Sequence, residues 1–481
     1  MARHILSLDQ GTTSTRAIVF DEAGRPLRTA AREFRQHYPR AGWVEHDPED
    51  IWRDTQEVIA EVLDDQVVAI GITNQRETII LWDRATGRPL HNAIVWQDRR
   101  TADTCEALRQ ESVEPAVRAK TGLLLDPYFS ATKLAWLLDH VEGARARAEA
   151  GELAAGTVDS FLLWRLTGGR VHATDVTNAA RTLLYDIVRD CWDDDLLRLF
   201  RVPRALLPEV RGNAELFGET GLFGRTLPIC GMAGDQQAAL VGQACFRPGM
   251  VKSTYGTGCF LLAHTGDAPV IGEDRLLATP ACRIDGERAF AQEGSIFVAG
   301  AAVKWLRDKL GLIEAADESA TLAAQVADDH GVVLVPAFVG LGAPHWAPHA
   351  RGLISGLTLD SSAATLVRAT LESIAFQTRD LTDAMAERPT AIRIDGGMAA
   401  NDWFAQFLAD MLEVPVERPA CTETTALGAA WLAGLASGIW ADTAALEGCW
   451  SAARRFEPRM DDAHRDRLLS GWRDALQRAL L

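Results

Sequence analysis

Short apolar runs alternate with helix-like segments along the first half of the chain. Ile5 to Leu8 and Ala17 to Phe20 are two apolar stretches joined by a polar turn, Gly11-Thr12-Thr13-Ser14, the pattern of a β-hairpin. A helix is expected near Pro48 to Leu63, then strands in Val67-Val68-Ala69-Ile70-Gly71-Ile72 and Thr78 to Trp82. Such alternation predicts an α/β domain. The apolar pattern breaks at Arg247-Pro248-Gly249, and Val251 to Leu262 then starts a second strand–turn–strand around Tyr255-Gly256-Thr257-Gly258. The two hairpins read as an internal repeat. They predict two halves, 1–246 and 247–481, each turning a phosphate-facing hairpin toward a shared cleft. Ala391 to Asp395 reads as a strand ending on Gly396-Gly397 before a helix, a place where backbone N–H groups can meet an anion. Two uncharged stretches complete the pattern. Gly331 to Ala350 holds three prolines and two histidines and reads as a buried strand and loop; Thr424 to Ala441 is rich in Gly and Ala and reads as a helix packed closely inside a domain.

With 481 residues the chain exceeds what one core usually supports, in agreement with two domains. The net charge of -17, with no basic cluster against it, argues against nucleic acid and anionic membranes as partners. Eight scattered cysteines without a C-x-x-C pair suit reduced, buried thiols, and no signal peptide fits before Ile5, so the cytoplasm is the expected compartment. There is no Gly-Lys dipeptide for a Walker loop and no G-x-G-x-x-G, so any phosphate chemistry needs another architecture.

The first hairpin turn supplies what a phosphate needs: a glycine and small hydroxyls that let the backbone come close. Asp9 points into the same space, and a carboxylate beside phosphates implies a magnesium ion shared between them. Turns of this composition are also common in ordinary hairpins.

The runs Asp9-Gln10-Gly11-Thr12-Thr13-Ser14, Gly42 to Pro48, Gly71 to Glu77, Gly231 to Gln237, Thr254 to Gly258 and Gly352 to Glu372 together resemble the glycerol kinases of the FGGY carbohydrate kinase family over nearly the whole chain. The resemblance implies two ribonuclease-H-like domains of the actin and hexokinase type, closing over ATP and magnesium. It implies phosphorylation of glycerol to sn-glycerol 3-phosphate, with glycerol and ATP as small-molecule partners, no membrane insertion, and a homo-oligomer, dimer or tetramer. Arg76 and Glu77 match the family's hydroxyl clamp; elsewhere an adjacent Arg/Glu pair is a solvated surface feature. Tyr128, Asp235 and Gln236 match further polyol positions, and Trp96 and Phe260 match the aromatics against its carbon edge. Asp235 is the implied general base, although Gly234-Asp235 before an Ala/Leu-rich run also reads as a helix cap. Asp9 is the implied magnesium residue. Thr12, Thr13, Ser14 and Arg16 on one lobe, and Thr257, Gly300, Gly397 and Asn401 on the other, match nucleotide positions. Lys304 stands where many relatives carry glutamine. The family's Gly-Gly-Thr-Arg effector run, which binds fructose 1,6-bisphosphate in some bacterial members, corresponds here to Glu219-Thr220-Gly221-Leu222-Phe223-Gly224-Arg225-Thr226, where Glu219 opposes a phosphate and one arginine remains, so little inhibition by that bisphosphate is expected. The competing readings are an FGGY kinase for another polyol or ketose, and a non-catalytic, actin-like nucleotide switch.

Overall fold

The computed structural model describes residues 2–272 and 275–481. Two mixed sheets dominate it, and they repeat one topology. In the first, His4–Gln10, Ser14–Phe20 and Pro26–Glu33 form an antiparallel meander, and His4–Gln10 then pairs in parallel with Val67–Asn74, which pairs in parallel with Leu227–Gly234. In the second, Met250–Tyr255 and Cys259–Gly266 are antiparallel, Glu287–Ile296 extends them, and Met250–Tyr255 pairs in parallel with Ala391–Asp395 and so to Val416–Pro419. The register agrees as well. Asp9 lies opposite Arg16 and Thr73, while Thr254 lies opposite Phe260 and Asp395. Each half therefore aims the carboxyl ends of its parallel strands at one place, which is where open α/β sheets bind ligands. Residues 45–46, 93–94, 79–83 and 153–157 add a smaller sheet to the first half.

Local chemistry accounts for the framework. Helix Pro48–Val62 starts on Asp47, whose carboxylate accepts from Glu49 N at 2.9 Å, and proline fills its first position. Ile51, Thr55, Val58, Ile59 and Val62 make its buried face, the spacing of one helical stripe. Two expectations are corrected. The helix from Thr424 ends at Ala436, and it packs on the sheet of the first half and against helix Asp235–Gly242. Its small residues permit that approach: a Cβ at Gly428 would sit 1.8 Å from the Ala238 carbonyl oxygen, and one at Gly71 would sit 2.1 Å from that of Ala429. After Gly396 the chain makes a 3-10 turn, Gly397–Ala400, and the helix begins only at Asp402. Four cysteines are buried, but Cys191, Cys282, Cys421 and Cys449 are only half-buried. Among the described residues no helix is long and apolar enough to cross a membrane.

Candidate active site

Arg76 and Glu77 follow strand Val67–Asn74 and are buried, not solvated. Glu77 takes a left-handed backbone, φ 61°, which a non-glycine residue adopts only where surroundings enforce it. Its carbonyl accepts from Ser130 Oγ at 2.9 Å. The Arg76 guanidinium spans both lobes. It grips Glu293 of the second sheet with two bonds, 2.6 Å from Nη1 and 2.9 Å from Nη2, reaches Gln237 Oε1 at 3.2 Å, and sets Nε 3.3 Å from Asp235 Oδ1. Burial pushes the Glu293 carboxyl up, but Arg181 and Arg76 overcome it and hold it at about 2.

Asp235 is the first residue of helix Asp235–Gly242; the cap position belongs to Gly234, which has no side chain to make a capping bond. The Asp235 carboxylate accepts from the adjacent Gln236 N at 2.8 Å and faces Arg76 Nε at 3.3 Å, so a capping role is not what holds it. Its side chain remains 30% exposed. Burial raises its pKa above the ordinary carboxylate range, opposed by Arg76 and Lys252. Lys252 is buried from the other lobe, with its ammonium donating to Gln236 Oε1 at 2.5 Å, Thr254 Oγ1 at 3.0 Å and the Phe260 carbonyl at 3.3 Å.

The aromatic positions meet. The Trp96 ring lies edge-on to Tyr128 at 5.6 Å and to Phe260 of the opposite lobe at 6.3 Å. Trp96 Nε1 donates to Thr12 Oγ1 at 3.0 Å, tying this wall to the first hairpin turn. Lys133, buried beneath, donates to the Tyr128 carbonyl at 2.7 Å and the Trp96 carbonyl at 3.4 Å.

In that turn Gly11 N donates to the Ser14 carbonyl at 2.9 Å and Thr13 O accepts from Phe34 N at 3.3 Å. Asp9 pairs with Arg16, whose other nitrogen donates to Glu423 Oε2 at 2.8 Å. Burial raises the Asp9 pKa, and Arg16 opposes it. In the second lobe the Thr257 turn meets the start of helix Gly300–Asp308: Gly300 N donates to the Gly256 carbonyl at 2.9 Å and Ala301 N to that of Thr257 at 3.0 Å. Gly396 has φ 83°, and a Cβ there would strike Tyr255 O at 2.5 Å, whereas Gly397 faces open space. Asn401 caps the next helix, accepting from Phe404 N at 2.9 Å and donating to Ser319 Oγ at 3.1 Å. Lys304 is exposed on helix Gly300–Asp308.

Residues 4–242 match the N-terminal domain of the FGGY family of carbohydrate kinases, and residues 251–437 match its C-terminal domain. The chain belongs to the FGGY family of carbohydrate kinases. Similar FGGY relatives include a glycerol kinase of Gluconobacter oxydans, 60% identical over 99% of this chain and 95% of that protein, and one of Rhodospirillum centenum, 61% identical over 98% and 97%. The fold matches a crystal structure of Plasmodium falciparum glycerol kinase with ADP at TM-score 0.95 and 37% identity, covering 100% of this chain and 99% of that one. A xylulose kinase from Rhodospirillum rubrum matches at TM-score 0.86 and 26% identity, covering 99% and 100%.

Arg181, Glu293, Lys252, Lys133 and Glu423 join this candidate site without having been singled out in the sequence. Glu293 and Lys252 carried a signal: each is a charge inside an otherwise uncharged strand run, Ala289 to Ile296 and Met250 to Tyr255, and such charges are buried only when paired.

Proposed function

We propose that this chain transfers the terminal phosphoryl group of ATP to glycerol, giving sn-glycerol 3-phosphate, with Asp235 as general base. The observation that carries the reading is the meeting, at the seam between the lobes, of an incompletely covered carboxylate, a buried Arg76–Glu77 clamp and the Trp96–Tyr128–Phe260 wall. Glycerol is polar on its hydroxyls and apolar along its carbon edge, and a site for it needs both surfaces.

A guanidinium has five N–H bonds. In Arg76 three are bonded to Gln237 and the two oxygens of Glu293 and Nε lies 3.3 Å from Asp235, which leaves one on Nη2 for a hydroxyl. Glu77 accepts a second hydroxyl, Gln236 flanks the third, and the aromatic wall covers the carbons. Asp235 lies beside the attacking hydroxyl and takes its proton as the bond to phosphorus forms. Phosphoryl transfer is chiefly positioning and charge neutralisation, so one such carboxylate suffices.

Thr12, Thr13, Ser14 and Arg16 would hold phosphates from one side and Thr257 and Gly300 from the other. Gly397 leaves room for the nucleoside, Asn401 fixes the turn beneath it, and Lys304 lies at its rim. Among the described residues no group of three or more metal-ligating side chains gathers. Magnesium needs only one or two carboxylates when the nucleotide supplies phosphate oxygens, and Asp9, which meets Arg16 through Oδ2, would supply one through its Oδ1. Magnesium bound with ATP would neutralise charge on the transferred group. We assign residues 1–246 to polyol binding and 247–481 to nucleotide binding, and place the protein in the cytoplasm as a dimer or tetramer. A coupled assay with ATP and a panel of glycerol, erythritol, xylulose and gluconate tests the reading. Glycerol should lead in kcat/KM by about a hundredfold or more; preference for a ketose would replace the substrate assignment.

A further inference from the structure

Behind the clamp lies a closed set of buried charges that includes two residues with no place in the reaction so far. Arg181 follows the short helix Val176–Ala179 and is fully buried. Its Nε donates to Glu77 Oε1 at 2.6 Å and its Nη2 to Glu293 Oε1 at 3.1 Å. Its guanidinium lies 5.5 Å from the Tyr128 ring centre and 5.2 Å from that of Phe129. Glu293, from the second lobe, grips Arg76 with both oxygens. Two guanidinium groups and two carboxylates thus alternate around a ring that crosses the seam between the lobes.

We propose that Arg181, braced across the seam by Glu293, is the positioning residue that holds Glu77 as the acceptor of a substrate hydroxyl. The inference rests on the glycerol reading and assigns the specificity of its clamp. Distance decides which cation holds Glu77. Arg76 Nε is 3.8 Å from Glu77 Oε1, outside hydrogen-bonding range, whereas Arg181 Nε is at 2.6 Å. Glu77 lies in the bend between strands Val67–Asn74 and Ile79–Asp83, and there its carboxylate meets Arg181 within hydrogen-bonding distance. The Arg181 Nη1 is buried with no hydrogen-bond partner among the described residues. A buried, incompletely bonded guanidinium is costly for stability alone, and a role in holding the clamp accounts for its presence.

The charge state of Glu77 depends on the same contact. The ionisable groups around it are Arg181, Arg76, Glu293, Tyr128 and Lys133. Burial already raises its pKa, with Arg181 the larger and Arg76 the smaller opposing influence. Removing the Arg181 charge takes away the larger of the two influences that oppose burial, so the Glu77 pKa rises further and its charge-assisted bond to the hydroxyl weakens as pH falls.

Calorimetric titration of glycerol into the full-length protein without ATP, between pH 6 and 8.5, tests this beside steady-state kinetics. Arg181→Met should weaken glycerol binding at least tenfold, with the larger deficit at the lower pH, while the KM for ATP stays within twofold. Arg181→Lys keeps a charge, so its weaker binding should be nearly flat with pH. A Kd within twofold of wild type in Arg181→Met, or a deficit equal at every pH, overturns the proposal. If Arg181→Met does not fold, Arg181→Lys decides: a two- to tenfold weaker, pH-flat Kd supports the role, and an unchanged Kd overturns it. Wild-type turnover of glycerol is a separate measurement, so failure of the activity assignment shows in the unmodified protein and failure of the Arg181 role shows in the variant-to-wild-type ratio.

Discussion

Gly428→Ala should damage catalysis from a position that touches no substrate. The helix that begins with Asp235 is separated from helix Thr424–Ala436 by two facing glycines. A Cβ on Gly428 would lie 1.8 Å from the Ala238 carbonyl oxygen and 2.6 Å from its carbon; one on Gly242 would lie 1.9 Å from the Thr424 oxygen. These obstacles are backbone atoms and cannot rotate away. An ordinary carbon–oxygen contact is roughly 3.3 Å, so the helices must separate by about 1.5 Å, which packed interiors resist at about 1–3 kcal/mol. The Asp235 end moves with its helix, and displacement of reacting groups by about 1 Å reduces rates by up to ~10²-fold. Gly428→Ala should therefore lower kcat with glycerol by about ten- to a hundredfold as well as lower stability. Gly438→Ala is the control. Gly438 has φ 70° with open space around it, so alanine there should cost about 1 kcal/mol of stability through backbone strain and leave kcat alone. If Gly428→Ala kept kcat within twofold while losing stability, the helix pair would not be setting the position of Asp235.

Lys133→Met removes the donor to the Tyr128 and Trp96 carbonyls and should raise the KM for glycerol about fivefold, the equivalent of ~1 kcal/mol, with the KM for ATP unchanged; equal effects on both substrates would contradict a local role. His172 has its pKa lowered to about 4, by burial first and Arg84 second. The unfolded chain therefore binds a proton below about pH 6.5 that the native state refuses, and stability falls as pH drops. On going from pH 7.5 to 5.5 the wild type should lose ~1.4 kcal/mol relative to His172→Gln in urea unfolding, and a pH-independent difference would remove the assignment. Arg225 donates to the backbone carbonyls of Asp64, Asp65 and Val67 at 2.5, 3.0 and 2.9 Å, so it is committed within its own fold. Initial rates should stay flat up to millimolar fructose 1,6-bisphosphate; saturable inhibition lost in Arg225→Ala would reverse that expectation.

The parts of this molecule that were legible in its sequence are those written locally. The two hairpins and the helix at Pro48 announce themselves by turn chemistry, capping and periodicity. Other features depend on partners distant along the chain. Arg181 and Glu293 are 112 positions apart, and Arg76 and Glu293 are 217 apart, so no spacing rule brings them together. Helix Thr424–Ala436 is buried almost all round, and its small residues reveal close packing without revealing against what. Asp235 shows a third case. Its sequence neighbourhood suits a cap, but the chain enters the helix one residue earlier, at Gly234, and frees the carboxylate for the cleft.

The central claim is that Asp235 accepts the proton of the attacking hydroxyl, and Asp235→Asn tests it most directly. Asparagine keeps the size of the side chain and its place beside Arg76 but cannot take the proton. Measured at saturating glycerol and ATP, kcat should fall by at least ~10²-fold, while ATP binding, followed separately by calorimetry, stays within about twofold of wild type. A variant that retains more than about a tenth of the wild-type kcat with ATP binding intact would contradict the account.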